Sequence, residues 1–107
     1  MADTIDWPGK SGKTYTYWFI PGDIDSPSLK AVAGNYMFVK KLPDGWVPVY
    51  IGQSGDLNER HSDHPEVPCV KRNGGTHLMA HTTPGGKDAR LAEEKDLVDH
   101  WNPPCNG

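Results

Sequence analysis

Long hydrophobic runs are missing from this chain of 107 residues: none approaches the roughly 18 apolar residues that a helical membrane span needs, so no membrane partner is expected. No secretory leader is expected either, because Met1-Ala2-Asp3-Thr4-Ile5-Asp6 has neither a basic nor an apolar region. Cysteine is scarce. Cys69 and Cys105 form neither a CxxC pair nor a multi-bridge framework, so the expectation is an unbonded pair in a reducing, cytoplasmic setting. An excess of positive charge is also lacking. The net charge of −3 argues against a protein held to nucleic acid by bulk charge, so any polyanion site must be a local patch. Arg60, Lys71, Arg72, Lys87 and Arg90 are available for one, although basic residues scattered over a solvated surface are the commoner arrangement. No internal repeat or low-complexity segment is present.

Apolar residues make up only 36% of the chain, beside 12 glycines and 10 prolines, which together predict a lean core and many turns. The length fits one domain burying somewhat more than about 60% of its unfolded surface. Residues 1–13, with Trp7-Pro8-Gly9 and Ser11-Gly12, read as irregular. In 14–20, Tyr15, Tyr17 and Phe19 share one face of a strand and Thr16, Trp18 and Ile20 the other, which predicts packing on both sides. A second strand is predicted over 35–41, followed by the turn Leu42-Pro43-Asp44-Gly45 and an antiparallel return over 46–51. Pro48 cannot donate a ladder bond, so the returning strand should lie at an edge or carry a bulge. A short helix is predicted over 57–63, a loop over 66–75, a third core strand over 76–82 and a helix over 87–101. The fold class expected is α+β, a small antiparallel sheet of three core strands plus one extra N-terminal strand, flanked by helices. Residues 1–33 would be an extension packed on the core of 34–107.

Chemistry concentrates around Val49-Tyr50-Ile51-Gly52-Gln53-Ser54-Gly55-Asp56. Val47, Val49 and Ile51 alternate as a half-buried strand requires, and Gly52 and Gly55 mark a tight exit. Asp56 with Glu59 three residues later has the pattern of a helix start. Arg60 and His64 are four residues apart and would share a helix face. A phenol, a guanidinium and an imidazole are thus directed to one glycine-rich corner. Tyr50-Ile51-Gly52 with Arg60 resembles the second half of the GIY-YIG nuclease signature, and Gly34-Asn35-Tyr36 resembles its first half. Glu94 matches the family's metal-binding Glu on a later helix. Pro103 and Asn106 match its asparagine after a proline. The resemblance spans residues 34–106.

Glu94 stands out on physical grounds as well. On a helical wheel at about 100° per residue, Leu91, Leu97, Val98 and Trp101 form an apolar stripe with Glu94 at its centre and Glu93 on its flank. A carboxylate there is costly unless paired with a cation such as Arg60 or bound to a metal. One carboxylate with several waters suits Mg²⁺, or Mn²⁺ in its place. His77, Met79 and His81 would share a strand face, but without the paired-ligand spacing of structural zinc.

What the resemblance implies is metal-dependent endonucleolytic hydrolysis of nucleic-acid phosphodiesters, with DNA as the expected substrate. Its catalytic residues would be Tyr36, Tyr50, Arg60, His64, Glu94 and Asn106, with Glu94 the metal ligand. Nucleic-acid contacts are expected from Gln53, Ser54, Lys71 and Arg72. Tyr50 is the expected base, supported by Tyr36. A phenol of pKa about 10 is about one part in a thousand ionised at pH 7, and a shift of three units corresponds to about 4 kcal/mol. Arg60 and the cation would supply that, or His64 would relay the proton instead. Two departures from the family pattern stand out: Asn35 in place of isoleucine, and Gln53 where some members carry a lysine, a loss that would shift the burden to Lys71 or Arg72. The alternatives are a non-cleaving nucleic-acid-binding module and a catalytic subunit whose protein partner supplies target specificity.

Overall fold

The computed structural model describes residues 4–21, 24, 32–57 and 65–106. The fold is α+β, with five antiparallel strands in the order β1-β2-β5-β3-β4. The strands are β1 (Thr4–Pro8), β2 (Thr14–Phe19), β3 (Gly34–Leu42), β4 (Gly45–Ser54) and β5 (His77–Thr82). Helix α1 covers Val67–Arg72, α2 covers Gly86–Trp101, and a 3-10 turn covers Pro104–Asn106. Among the described residues no helix is long and apolar enough to cross a membrane.

The β3–β4 hairpin follows the sequence pattern closely. Pro48 lies on edge strand β4, and the register slips between Phe38 and Val39, so Val49 is the extra residue of a bulge. Edge position and bulge both spare the missing proline N–H. On the far side, the N-terminal region departs from expectation. Residues 4–8 form a strand rather than irregular chain, because β2 offers them a full ladder from Thr4 against Trp18 to Pro8 against Thr14. The sheet therefore has two N-terminal strands, not one. The two faces of 14–20 pack unequally: Tyr17 is buried, whereas Trp18 is 57% exposed and only Ile20 of its face packs against an apolar cluster.

Two apolar clusters cover opposite sheet faces. One contains Tyr36, Phe38, Val49, Leu78 and Ala80 under Val70 of α1 and Cys105. The other contains Met37, Val39, Ile51 and Met79 under Leu97 of α2, extended by Trp7 and Tyr17. The expected loop at 66–75 includes α1 instead. Pro68 stands in the first turn of α1, where its missing N–H has no helical partner to lose, and so it starts the helix rather than breaking it. Helix α2 ends at Asn102, whose φ of 48° places it in the left-handed region just before Pro103.

Asp96 fastens the β1–β2 turn to α2. Its carboxylate accepts from the Ser11 N–H at 2.8 Å, the Ser11 hydroxyl at 2.7 Å and the Tyr15 hydroxyl at 2.7 Å. Trp101 Nε1 adds a bond to the Pro8 carbonyl at 2.9 Å, and the Trp101 ring stands edge-on to Trp7. The Ser11 and Tyr15 bonds outweigh burial and hold the Asp96 carboxyl below its ordinary value.

The cysteines overturn the sequence expectation. Cys69 and Cys105 are joined as a disulfide with Cα atoms 6.0 Å apart. Their separation of 36 residues carries no sign of this pairing, which depends on α1 and the 3-10 turn packing over the same sheet face.

Candidate functional site

Tyr36 and Tyr50 project from adjacent strands onto the α1 face. Tyr50 pairs with Phe38 and Tyr36 with Gly52, which brings the two phenol rings to 6.1 Å between centroids. Gly52 is needed for this arrangement: a β-carbon on it would lie 2.5 Å from the Tyr36 Cζ and hydroxyl. Gly34 answers a different demand, since a β-carbon there would meet the His81 carbonyl oxygen of neighbouring β5. The two tyrosines differ in access. Tyr36 is wholly buried, while Tyr50 is half-buried and lines an open groove of about 610 Å³.

Glu94 and Asn106 line the same groove, with Glu66, Lys95, Asp99 and Cys105. Asn106 has a defined role in holding it. Its Oδ1 accepts from the Ile51 N–H at 2.8 Å, and its Nδ2 donates to the Ile51 carbonyl at 2.8 Å. The side-chain amide thus acts as a one-residue strand on the open edge of β4 and fixes the backbone beside Tyr50. One residue earlier, the Cys105–Cys69 bond anchors the 3-10 turn that presents it.

The carboxylates of α2 divide differently from the wheel. Glu93, not Glu94, is buried (6% exposed), while Glu94 is half-buried. Leu91 misdirected the apolar stripe, because it is 39% exposed. The true inner face carries Glu93 and Leu97. Glu93 is tolerated because the sheet supplies polar partners: the Tyr17 hydroxyl donates to Oε2 at 2.6 Å, and His81 Nε2 meets the same oxygen. Tyr17 stacks on His81 at 4.3 Å, and His81 pairs across the sheet with Asn35, which pairs in turn with Gln53. Beneath the first half of α2 there is therefore a transverse polar row, Tyr17, His81, Asn35 and Gln53. Thr83 closes it by donating to Asn35 Oδ1 at 2.7 Å. Burial, then the Glu93 charge, pushes the Tyr17 hydroxyl well above its ordinary value, so Tyr17 is a fixed donor. Burial and the bond to Asp96 likewise raise Tyr15 to about 12.

No protein-family model, curated protein or solved structure matches the chain.

Of the remaining sequence candidates, Arg60 and His64 lie outside the described residues, as does most of the expected 57–63 helix. Ser54 stabilises the corner after β4, its hydroxyl donating to the Asp56 carbonyl and accepting the Asp56 N–H. Lys71 and Arg72 are exposed on α1 rather than in a loop. Gln53 does not leave its corner uncharged, because its Oε1 accepts from Arg90 Nε at 3.0 Å. The Tyr17–Glu93–His81 network and the Gln53–Arg90 pair were missed as units. Strand parity alone places Asn35 and Gln53 on one face, but the neighbouring of β2, β5 and β3 is needed to complete the row.

Proposed function

We propose that the protein is a metal-dependent phosphodiesterase acting on nucleic acid, with a GIY-YIG-like arrangement and DNA as its substrate. One observation carries this reading: Tyr50, Glu94 and Asn106, three candidates from separate elements, line a single groove at the edge of β4. The groove's charge also favours a cation. Glu66, Glu94 and Asp99 place three carboxylates along it beside Lys95, which is paired with Asp99 at 3.0 Å.

The donor set fits a hard ion. Carboxylates and a phenol line the groove, the Asn106 amide is spent on Ile51, and the one sulfur, Cys105, is taken up in the disulfide. Among the described residues no three acidic, histidine or cysteine side chains form a ready metal cage. Glu94 would therefore hold Mg²⁺ or Mn²⁺ singly, with water in the other positions. Such an ion, when bound, supplies charge neutralisation at the phosphoryl oxygens. Tyr50 faces the groove and, as the phenolate, would take the proton from the attacking water while the bond from phosphorus to the leaving oxygen breaks. Tyr36, buried against Gly52, sets the position of the Tyr50 ring. Asn106 immobilises Ile51 and, through it, the strand that carries Tyr50. Arg60 and His64 are assigned to phosphate charge and proton relay by sequence alone.

Purified protein with Mg²⁺ or Mn²⁺ and labelled single-stranded, duplex and branched DNA tests the reading. Cleavage should fall by at least about 10²-fold in Glu94→Ala, and by a similar factor in Tyr50→Phe. Binding of DNA without any cutting by the parent protein would favour the non-cleaving module. Cutting that appears only in a cell extract would favour a catalytic subunit with a specificity partner.

A further inference from the structure

Arg90 lies four residues before Glu94 on α2, about 6 Å along the helix axis, and the hydrolytic reading leaves it unused. It is half-buried and held at two points. Gln53 accepts from its Nε, and Asn35 Nδ2 donates to its backbone carbonyl at 3.0 Å. Among the described residues no carboxylate stands within ion-pair distance of its guanidinium. A neutral amide orients a guanidinium without cancelling its charge. Because Gln53 takes Nε, the two terminal nitrogens remain for a bidentate partner, the geometry that a phosphate satisfies. Gly55 approaches them closely: a β-carbon on it would lie in contact with Arg90 Nη2 at 3.7 Å, so any side chain there would crowd the terminal nitrogens.

We infer that Arg90, steered by Gln53, is a phosphate-binding residue at the glycine corner following β4. Under the hydrolytic reading, on which only the ligand's identity rests, that phosphate belongs to the nucleic-acid backbone next to the one at Glu94. Arg90 is then a binding residue, and Gln53 a positioning residue acting through it.

The test is a titration of the ¹⁵N-labelled full chain in EDTA, following the arginine Nε–H signals first with inorganic phosphate and then with short oligodeoxynucleotides. The Arg90 signal is assigned by its loss in R90K. It should move saturably at millimolar phosphate and at lower concentrations of oligonucleotide. By fluorescence anisotropy, R90A and Q53A should each weaken oligonucleotide binding by about tenfold, and Q53A should add little in the R90A background. An Arg90 signal that stays still, or drifts without saturating as that of exposed Arg72 should, overturns the inference. So does a Q53A effect that persists in full without Arg90. A saturable phosphate response without oligonucleotide binding or cleavage upholds the phosphate corner and refutes the nuclease. Cleavage with a silent Arg90 does the reverse.

Discussion

Replacing Asn106 with alanine should remove both hydrogen bonds to Ile51 and leave the edge of β4 open. Each bond is 2.8 Å long and contributes a net of about 1 kcal/mol, so the loss starts near 2 kcal/mol. Ile51 is fully buried, so water will replace the amide poorly on the inner side, and the total should approach about 3 kcal/mol. For a domain of this size a loss between those two figures lowers the melting temperature by roughly 9 to 13 °C. Far-UV circular dichroism under non-reducing conditions measures the shift, and hydrogen exchange at the Ile51 amide reports the local cause. Asn106→Asp separates acceptor from donor. At neutral pH its carboxylate still accepts the Ile51 N–H but offers nothing to the Ile51 carbonyl, so it should cost about as much as alanine. Below about pH 4 the protonated carboxyl regains a donor and the deficit should narrow. A loss under about 0.5 kcal/mol for Asn106→Ala, with Ile51 protection unchanged, would refute the view that this side chain closes the sheet edge.

Reduction of the Cys69–Cys105 bond releases a loop of 36 residues and should cost roughly 4 kcal/mol of chain entropy, read from urea unfolding with and without a dithiol. The cost of Asn106→Ala should shrink in the reduced protein, because the tether presenting Asn106 has gone; strict additivity would contradict that coupling. Gly52→Ala forces the Tyr36 ring to move and should destabilise by about 1–3 kcal/mol while weakening the Tyr36–Tyr50 cross-peaks in NMR spectra; unchanged stability would be inconsistent with the packing. Asp96 has a depressed folded pKa, so its stabilisation is present above the unfolded value of about 3.9 and is lost as pH falls through the folded one. The stability difference between the parent and Asp96→Asn should therefore be constant near neutrality and decline below about pH 4, and a flat difference down to pH 2 would rule it out.

Much of the hairpin was legible from local rules. The β-branched residues of 47–51, the Pro43–Gly45 turn and the constraint at Pro48 together specify two paired strands with an irregular edge, where the rings of Tyr36 and Tyr50 meet. The bulge, however, turns Val49 onto the face opposite Ile51 and breaks the expected alternation. Strand β1 was not legible, because Trp7-Pro8-Gly9 resembles a turn until β2 pairs with it. Pro68 was read as part of a loop, although the same fixed φ suits the first turn of α1. Glu93 and Glu94 exchanged places because a wheel weighs hydrophobicity alone. The sheet beneath α2 is polar under its first half, where Tyr17 and His81 receive a carboxylate, and apolar under Leu97.

By itself, then, the amino-acid sequence determined the strand and helix periodicities, the hairpin turn and the candidate phenols, carboxylates and asparagine. Only the tertiary structure decided which carboxylate is buried, that Cys69 meets Cys105, that Asn106 closes the edge of β4 and that Gln53 turns Arg90 towards the corner. The division has a physical cause. Backbone dihedral preferences and side-chain alternation act over a few residues. A buried charge, a bridge across 36 residues and a side chain replacing a strand depend instead on partners that become neighbours only when the sheet assembles.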